Sequence, residues 1–111
     1  MESCTFNRAK LLVRKLVAEK GFPDDRSALA QKLLWAFVEL GEAADAYKKG
    51  EAWEVVSEEL IDVIFYILDF IGIVEKTEGV EIDVDRLFIK KWMKNMERPE
   101  RYGQKRDLPI E

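Results

Sequence analysis

Two pairs of carboxylates stand out in this chain of 111 residues: Glu39 with Glu42, and Glu59 with Asp62. Residues three apart share a helical face, so each pair can turn two acidic groups toward one point. The pairs also match each other. The midpoint of 42 and 59 is 50.5, as is the midpoint of 39 and 62, and Gly50 sits at that centre. In an antiparallel helical hairpin turning there, Glu42 faces Glu59 and Glu39 faces Asp62. Four converging carboxylates repel and raise one another's pKa unless a cation joins them. An oxygen-only set suits hard cations, chiefly Mg2+ with Mn2+ as a substitute. The alternative is a set of solvated or structural acids. On the first segment the greasy stripe is Leu33, Phe37, Leu40 and Ala44, with Glu39 and Glu42 roughly opposite it, near the small Ala36, Ala43 and Ala46. On the second, Glu59 and Asp62 share a face with Val55, Val63, Tyr66 and Phe70, company in which lone charge is costly. Spacing alone leaves both readings open.

The elements that must position these groups read as four helices. Leu11, Leu12, Val13, Leu16 and Val17 predict a helix from Thr5 to Lys20, ended by Gly21 and Pro23. Asp24, Asp25 or Ser27 can cap a second helix that continues to Lys49 and stops at Gly50. A third is expected from about Glu51 to Lys76, ending near Gly79. Asp83 or Asp85 caps a fourth that reaches roughly Asn95. An irregular tail, marked by Pro99, Gly103 and Pro109, follows from about residue 97. The whole chain, 1–111, reads as one all-α domain. Leu60, Ile61, Ile64, Phe65, Ile67, Leu68 and Ile71 cover most of the third helix's circumference, and such a helix must be surrounded. Three short neighbours can hardly enclose it, so a homo-oligomer that completes the bundle is expected, a dimer or a tetramer.

Composition narrows the chemistry. Histidine is absent, which removes Ser-His triads, Cys-His dyads, His-ligated zinc and the Glu-x-x-His di-iron pattern. The net charge of -4 argues against a general nucleic-acid or anionic-membrane binder, although basic residues gather between Lys90 and Arg106. One cysteine, Cys4, cannot form an internal disulfide, so a reducing cytoplasm is the expected compartment. The opening MESCTFNRAKLLVRKL has no apolar h-region, so no signal peptide is expected. The stretch LIDVIFYILDFIGIV is broken by Asp62 and Asp69 and is shorter than the roughly 20 residues of a membrane span.

The order Glu39-x-x-Glu42 then Glu59-x-x-Asp62 resembles the signature of the MazG-like nucleoside triphosphate pyrophosphohydrolases. The surrounding words resemble that family too: KLLWAFVELGEAADAYKKG before the turn, SEELIDVIFYILDFIG after it, and KKWMKNMERPERYG downstream. The likeness runs from about Ala28 to Gly103. It implies a four-helix fold assembled as dimers or dimers of dimers. It also implies Mg2+-dependent hydrolysis of a nucleoside triphosphate to monophosphate and pyrophosphate, in nucleotide-pool housekeeping. Carried over by position, Glu39, Glu42, Glu59 and Asp62 are the implied metal ligands and catalytic set. One departure matters: where many relatives have a second acidic residue before the first motif glutamate, this chain has Val38. That leaves the base to be Glu58, or the water to be activated by the cation itself, which lowers its pKa.

No glycine-rich phosphate loop is present, so anions must be met by side chains and metals. Lys91, Lys94, Asn95 and Arg98 follow one another along a helical face and are the candidates; otherwise they complement a helix C-terminus. With the resemblance, phosphate contact is the expectation. Lys32 precedes the glutamates by about two turns and either reaches the site or solubilises the second helix. A nucleobase needs a flat apolar wall. Trp35, one turn before Glu39, is the expected stacking residue; Phe6, Trp53 and Tyr66 are further options, whereas Phe37 and Phe65 read as core. Two other functions compete with the enzyme: a non-catalytic helical oligomer acting as a partner-binding or regulatory module, and a binder that holds nucleotides without cleaving them. Base and sugar preference are not specified by these residues.

Overall fold

The structure is a computed structural model that describes residues 3–99. It is all-helical: α1 (Phe6–Lys20), α2 (Leu29–Lys48), α3 (Trp53–Glu78) and α4 (Val84–Glu97), with no strand among the described residues. Thr5 starts α1 by accepting the Arg8 N–H at 3.0 Å. Of the three candidate caps before α2, Asp25 takes the role, but it caps a 3₁₀ turn at Arg26–Ala28 that leads into the helix. Gly50 then reverses the chain at φ 76° while the Glu51 N–H reaches back to the Ala46 carbonyl at 3.0 Å. A left-handed residue is what lets those last carbonyls of α2 be satisfied, and a Cβ disfavours it.

Asp83 caps α4 by accepting the Arg86 N–H at 3.1 Å. The other candidate, Asp85, has a different task. Its carboxylate accepts the Phe6 and Asn7 N–H groups at 2.9 and 3.3 Å, and Asn7 in turn accepts the Val84 N–H at 2.8 Å. The first turns of α1 and α4 thereby satisfy each other's unpaired donors. The helix ends otherwise fall within two residues of expectation, except that Arg98 caps α4 in an extended conformation and is not a helical position. Gly103 and Pro109 lie outside the described residues.

Helix α3 is central. It packs against α2 on one side and α1 on another, while α4 makes its helix–helix contact with α1. Helices α1 and α2 do not pack on each other, which leaves a gap between them over α3. The small apolar core is Val13, Val17 and Leu68, with Ala9 and Val84 packed against it, and Ile73 is fully buried.

Much of the apolar surface stays outside this core. Leu33, Phe37 and Leu40, the greasy stripe of α2, are exposed, and Phe37 is 72% exposed, so it is not core within one chain. Phe65 is likewise exposed. The buried positions of α2 are Lys32, Ala43 and Ala46. The reason is geometric: α2 turns its small residues toward α3, where the helices approach closely, and its large ones away. On α3, Leu60, Ile61, Ile64 and Ile67 also remain exposed. No helix among the described residues is long and apolar enough to cross a membrane.

Candidate functional site

The hairpin brings carboxylates together, as the symmetry about Gly50 requires. Oxygens of Glu39, Glu42 and Glu59 all lie within 4.8 Å of one another. Ala43 and Ala46 on the same side of α2 are buried, and their size lets the two helices approach closely enough for the acids to meet. Glu39 and Glu59 are half-buried and Glu42 is exposed. Asp62 is not within 4.8 Å of all three, but it lines the cleft together with Glu39 and its charge acts on Glu39 more strongly than that of Glu59.

No basic side chain among the described residues pairs with any of the four acids. The electrostatic consequence falls on Glu39. Burial pushes its carboxyl above the ordinary 4.5, and the charges of Glu42, Asp62 and Glu59 push it further. Tyr66 is raised in the same way, by burial first and then by Glu39, Asp62, Asp69 and Glu42. A carboxylate triplet of this span fits a hard cation with bonds of about 2.0–2.1 Å, whose opposite ligands stand about 4.2 Å apart.

The gap between α1 and α2 is a cleft of about 420 Å³. Leu16 and Val17 contribute from α1, Trp35 and Glu39 from α2, and Asp62 and Tyr66 from α3. Trp35 and Tyr66 therefore sit where a base could stack. The other two aromatic options do not: Phe6 lies against Phe88 with ring centroids 5.2 Å apart, and Trp53 stacks on Tyr47 at the hairpin turn, 6.1 Å apart. Phe65, expected in the core, is a cleft residue.

Lys32 reaches the cleft wall, but not as a solubilising side chain. It is buried, and its Nζ pairs with Asp69 Oδ2 at 2.9 Å. Asp69 is the residue that sequence reasoning missed. It read as a charge interrupting an apolar run, yet it is buried and also takes Arg14 at 2.8 Å. The signal available was a single acid within the otherwise apolar stretch 63–74 of α3, where an unpaired charge is costly.

Lys91, Lys94, Asn95 and Arg98 are not brought to the carboxylates within this chain. None of them lines the cleft, and all are exposed on or just beyond α4. Glu58 is exposed and outside the triplet, as is Val38. Searches of family descriptions, curated proteins and solved structures returned no match to this chain.

Proposed function

We propose that the protein is a Mg2+-dependent nucleoside triphosphate pyrophosphohydrolase with a MazG-like fold, working as a homodimer or homotetramer in the cytoplasm. The observation that carries this reading is the uncompensated triplet Glu39, Glu42 and Glu59 at the side of an aromatic-lined cleft. Clustered carboxylates without a basic partner are unfavourable unless something positive joins them. Glu39, Glu42 and Glu59 are the residues that would hold Mg2+, or Mn2+ in its place. When bound, such a cation supplies neutralisation of charge developing on the phosphates and a lowered pKa for water.

The remaining work belongs to the chain. Trp35 and Tyr66 hold the nucleoside in the cleft, with the α-phosphate turned toward the carboxylates. Asp62, on the cleft side of the triplet, accepts a hydrogen bond from the attacking water and orients it. The expected phosphate contacts of Lys91, Lys94, Asn95 and Arg98 require α4 of a second copy, since their own α4 does not line the cleft. The exposed apolar faces of α2 and α3 favour such a copy.

The test is incubation of the pure protein with a nucleotide panel and Mg2+. Release of pyrophosphate and monophosphate is expected. Orthophosphate alone, or no turnover of any nucleotide, overturns the reading. Calorimetric silence toward Mg2+ and Mn2+ would favour a non-catalytic oligomer instead.

A further inference from the structure

The cleft has two chemically different sides. One is the carboxylate site, reached through Glu39 and Asp62; the other is the Lys32–Asp69 ion pair, whose side chains are 7% and 5% exposed. Asp69 is well satisfied, with Arg14 on Oδ1 at 2.8 Å and Lys32 on Oδ2 at 2.9 Å. Lys32 is not. An ammonium carries three hydrogens, and Asp69 is the one partner of Lys32 among the described residues. Two donors are left on a buried wall of the cleft, and buried donors are seldom left without an acceptor. Trp35, Phe65 and Tyr66 also line this cleft, and its volume of about 420 Å³ lies in the usual range for small-molecule sites.

We infer that the Lys32–Asp69 pair is the base-reading end of the cleft, selecting nucleotides whose base carries a carbonyl oxygen over those of adenine. This rests on the nucleotide reading above. Uracil, thymine, cytosine and guanine each present a carbonyl to which the Lys32 ammonium donates. Adenine has none; its amino group turns N–H toward the cation, and its ring nitrogens are the only acceptors left. Asp69 does not read the base itself. It holds Lys32 in one position, with Arg14 sharing the compensation of its charge.

The experiment compares kcat/KM for dUTP, dTTP, dCTP, dGTP and dATP in the wild-type protein and in Lys32→Met, with Tm followed throughout. Loss of a charge-assisted bond to a carbonyl corresponds to about tenfold or more. Wild-type turnover of dATP should therefore fall about tenfold or more below the best carbonyl-bearing nucleotide, and Lys32→Met should bring the two toward parity. If Lys32→Met does not fold, Lys32→Met with Asp69→Asn removes both charges and is read in the same way. Equal wild-type rates for dATP and the others, or a uniform loss across the panel in the variant, overturn the inference and leave the hydrolase reading intact. If the wild-type protein turns over nothing, the hydrolase reading fails, and the cleft is then read by calorimetry with dUMP and dAMP in EDTA. Tighter binding of dUMP sustains the inference; equal or absent binding overturns it.

Discussion

Helix α3 presents acids to two neighbours and treats them in opposite ways. Against α2, toward the hairpin turn, Glu59 joins Glu39 and Glu42 with no cation beside them, and Glu39 is held above its ordinary range by burial and by its like-charged neighbours. Against α1, further along, every acid has its base. Asp69 takes Arg14 and Lys32; Asp24, in the loop after α1, takes Arg14 and Lys76, at 3.0 and 2.9 Å; Glu75 takes Lys10 at 2.8 Å and the Ile82 N–H at 2.7 Å. Burial alone would raise Glu75, but the Lys10 and Ile82 bonds outweigh it and its carboxyl lies below the ordinary value; Asp24 is lowered chiefly by Lys76. Acidic content is therefore no guide to function here. Compensation separates the two regions: the paired acids hold helices together, and the unpaired ones are those proposed above to hold a cation.

The contrast breaks most visibly at the hairpin. Glu42→Gln or Glu59→Gln should each nearly abolish Mg2+-dependent pyrophosphate release, and the double variant should lose little more, because groups sharing one cation act as a unit. Either change should leave Tm in EDTA unchanged or higher, since it relieves repulsion. Mild and additive losses would mean the carboxylates do not act together.

At the compensated end the sign reverses. Asp69→Asn leaves the buried Lys32 and the adjoining Arg14 without their shared carboxylate, and should cost about 3–5 kcal/mol in urea unfolding. A loss comparable to that of Glu42→Gln would erase the distinction between the two regions.

Gly72→Ala is a smaller probe of the same network. A Cβ there would lie 2.2 Å from Arg14 Cδ, and Arg14 is pinned by Asp69 and Asp24. Displacing it should cost about 1–3 kcal/mol. Stability within a few tenths of wild type would show that Arg14 can move without losing its partners.

The smallest effect is on pH dependence, measured as Tm in EDTA. Glu75 and Asp24 have folded pKa values below their ordinary 4.5 and 3.8, so their contribution is present above those values and is lost as pH falls through the folded ones. Glu39 is shifted upward from 4.5, so its ionisation works against folding as pH rises from that value through its folded pKa. Glu75→Gln should flatten the acid limb, and Glu39→Gln the limb above about 4.5. Identical profiles for the two variants would contradict the opposite shifts.

The sequence by itself determined what depends on local rules. Helix identity, the turn at Gly50 and the placing of Glu39, Glu42 and Glu59 on facing sides of the hairpin follow from helical period and glycine's left-handed freedom. Tertiary structure decided the rest. Whether Asp85 caps its own helix or the start of α1, whether Asp69 is stray charge or the centre of an ion network, and whether Phe65 is core or cleft depend on which helix arrives opposite. The same holds for Asp62, which faces the cleft because α1 and α2 do not close over α3, and for the α4 cations, which lie away from the carboxylates because α4 docks on α1. Periodicity assigns a residue to a face of its own helix; only packing supplies the partner that face meets.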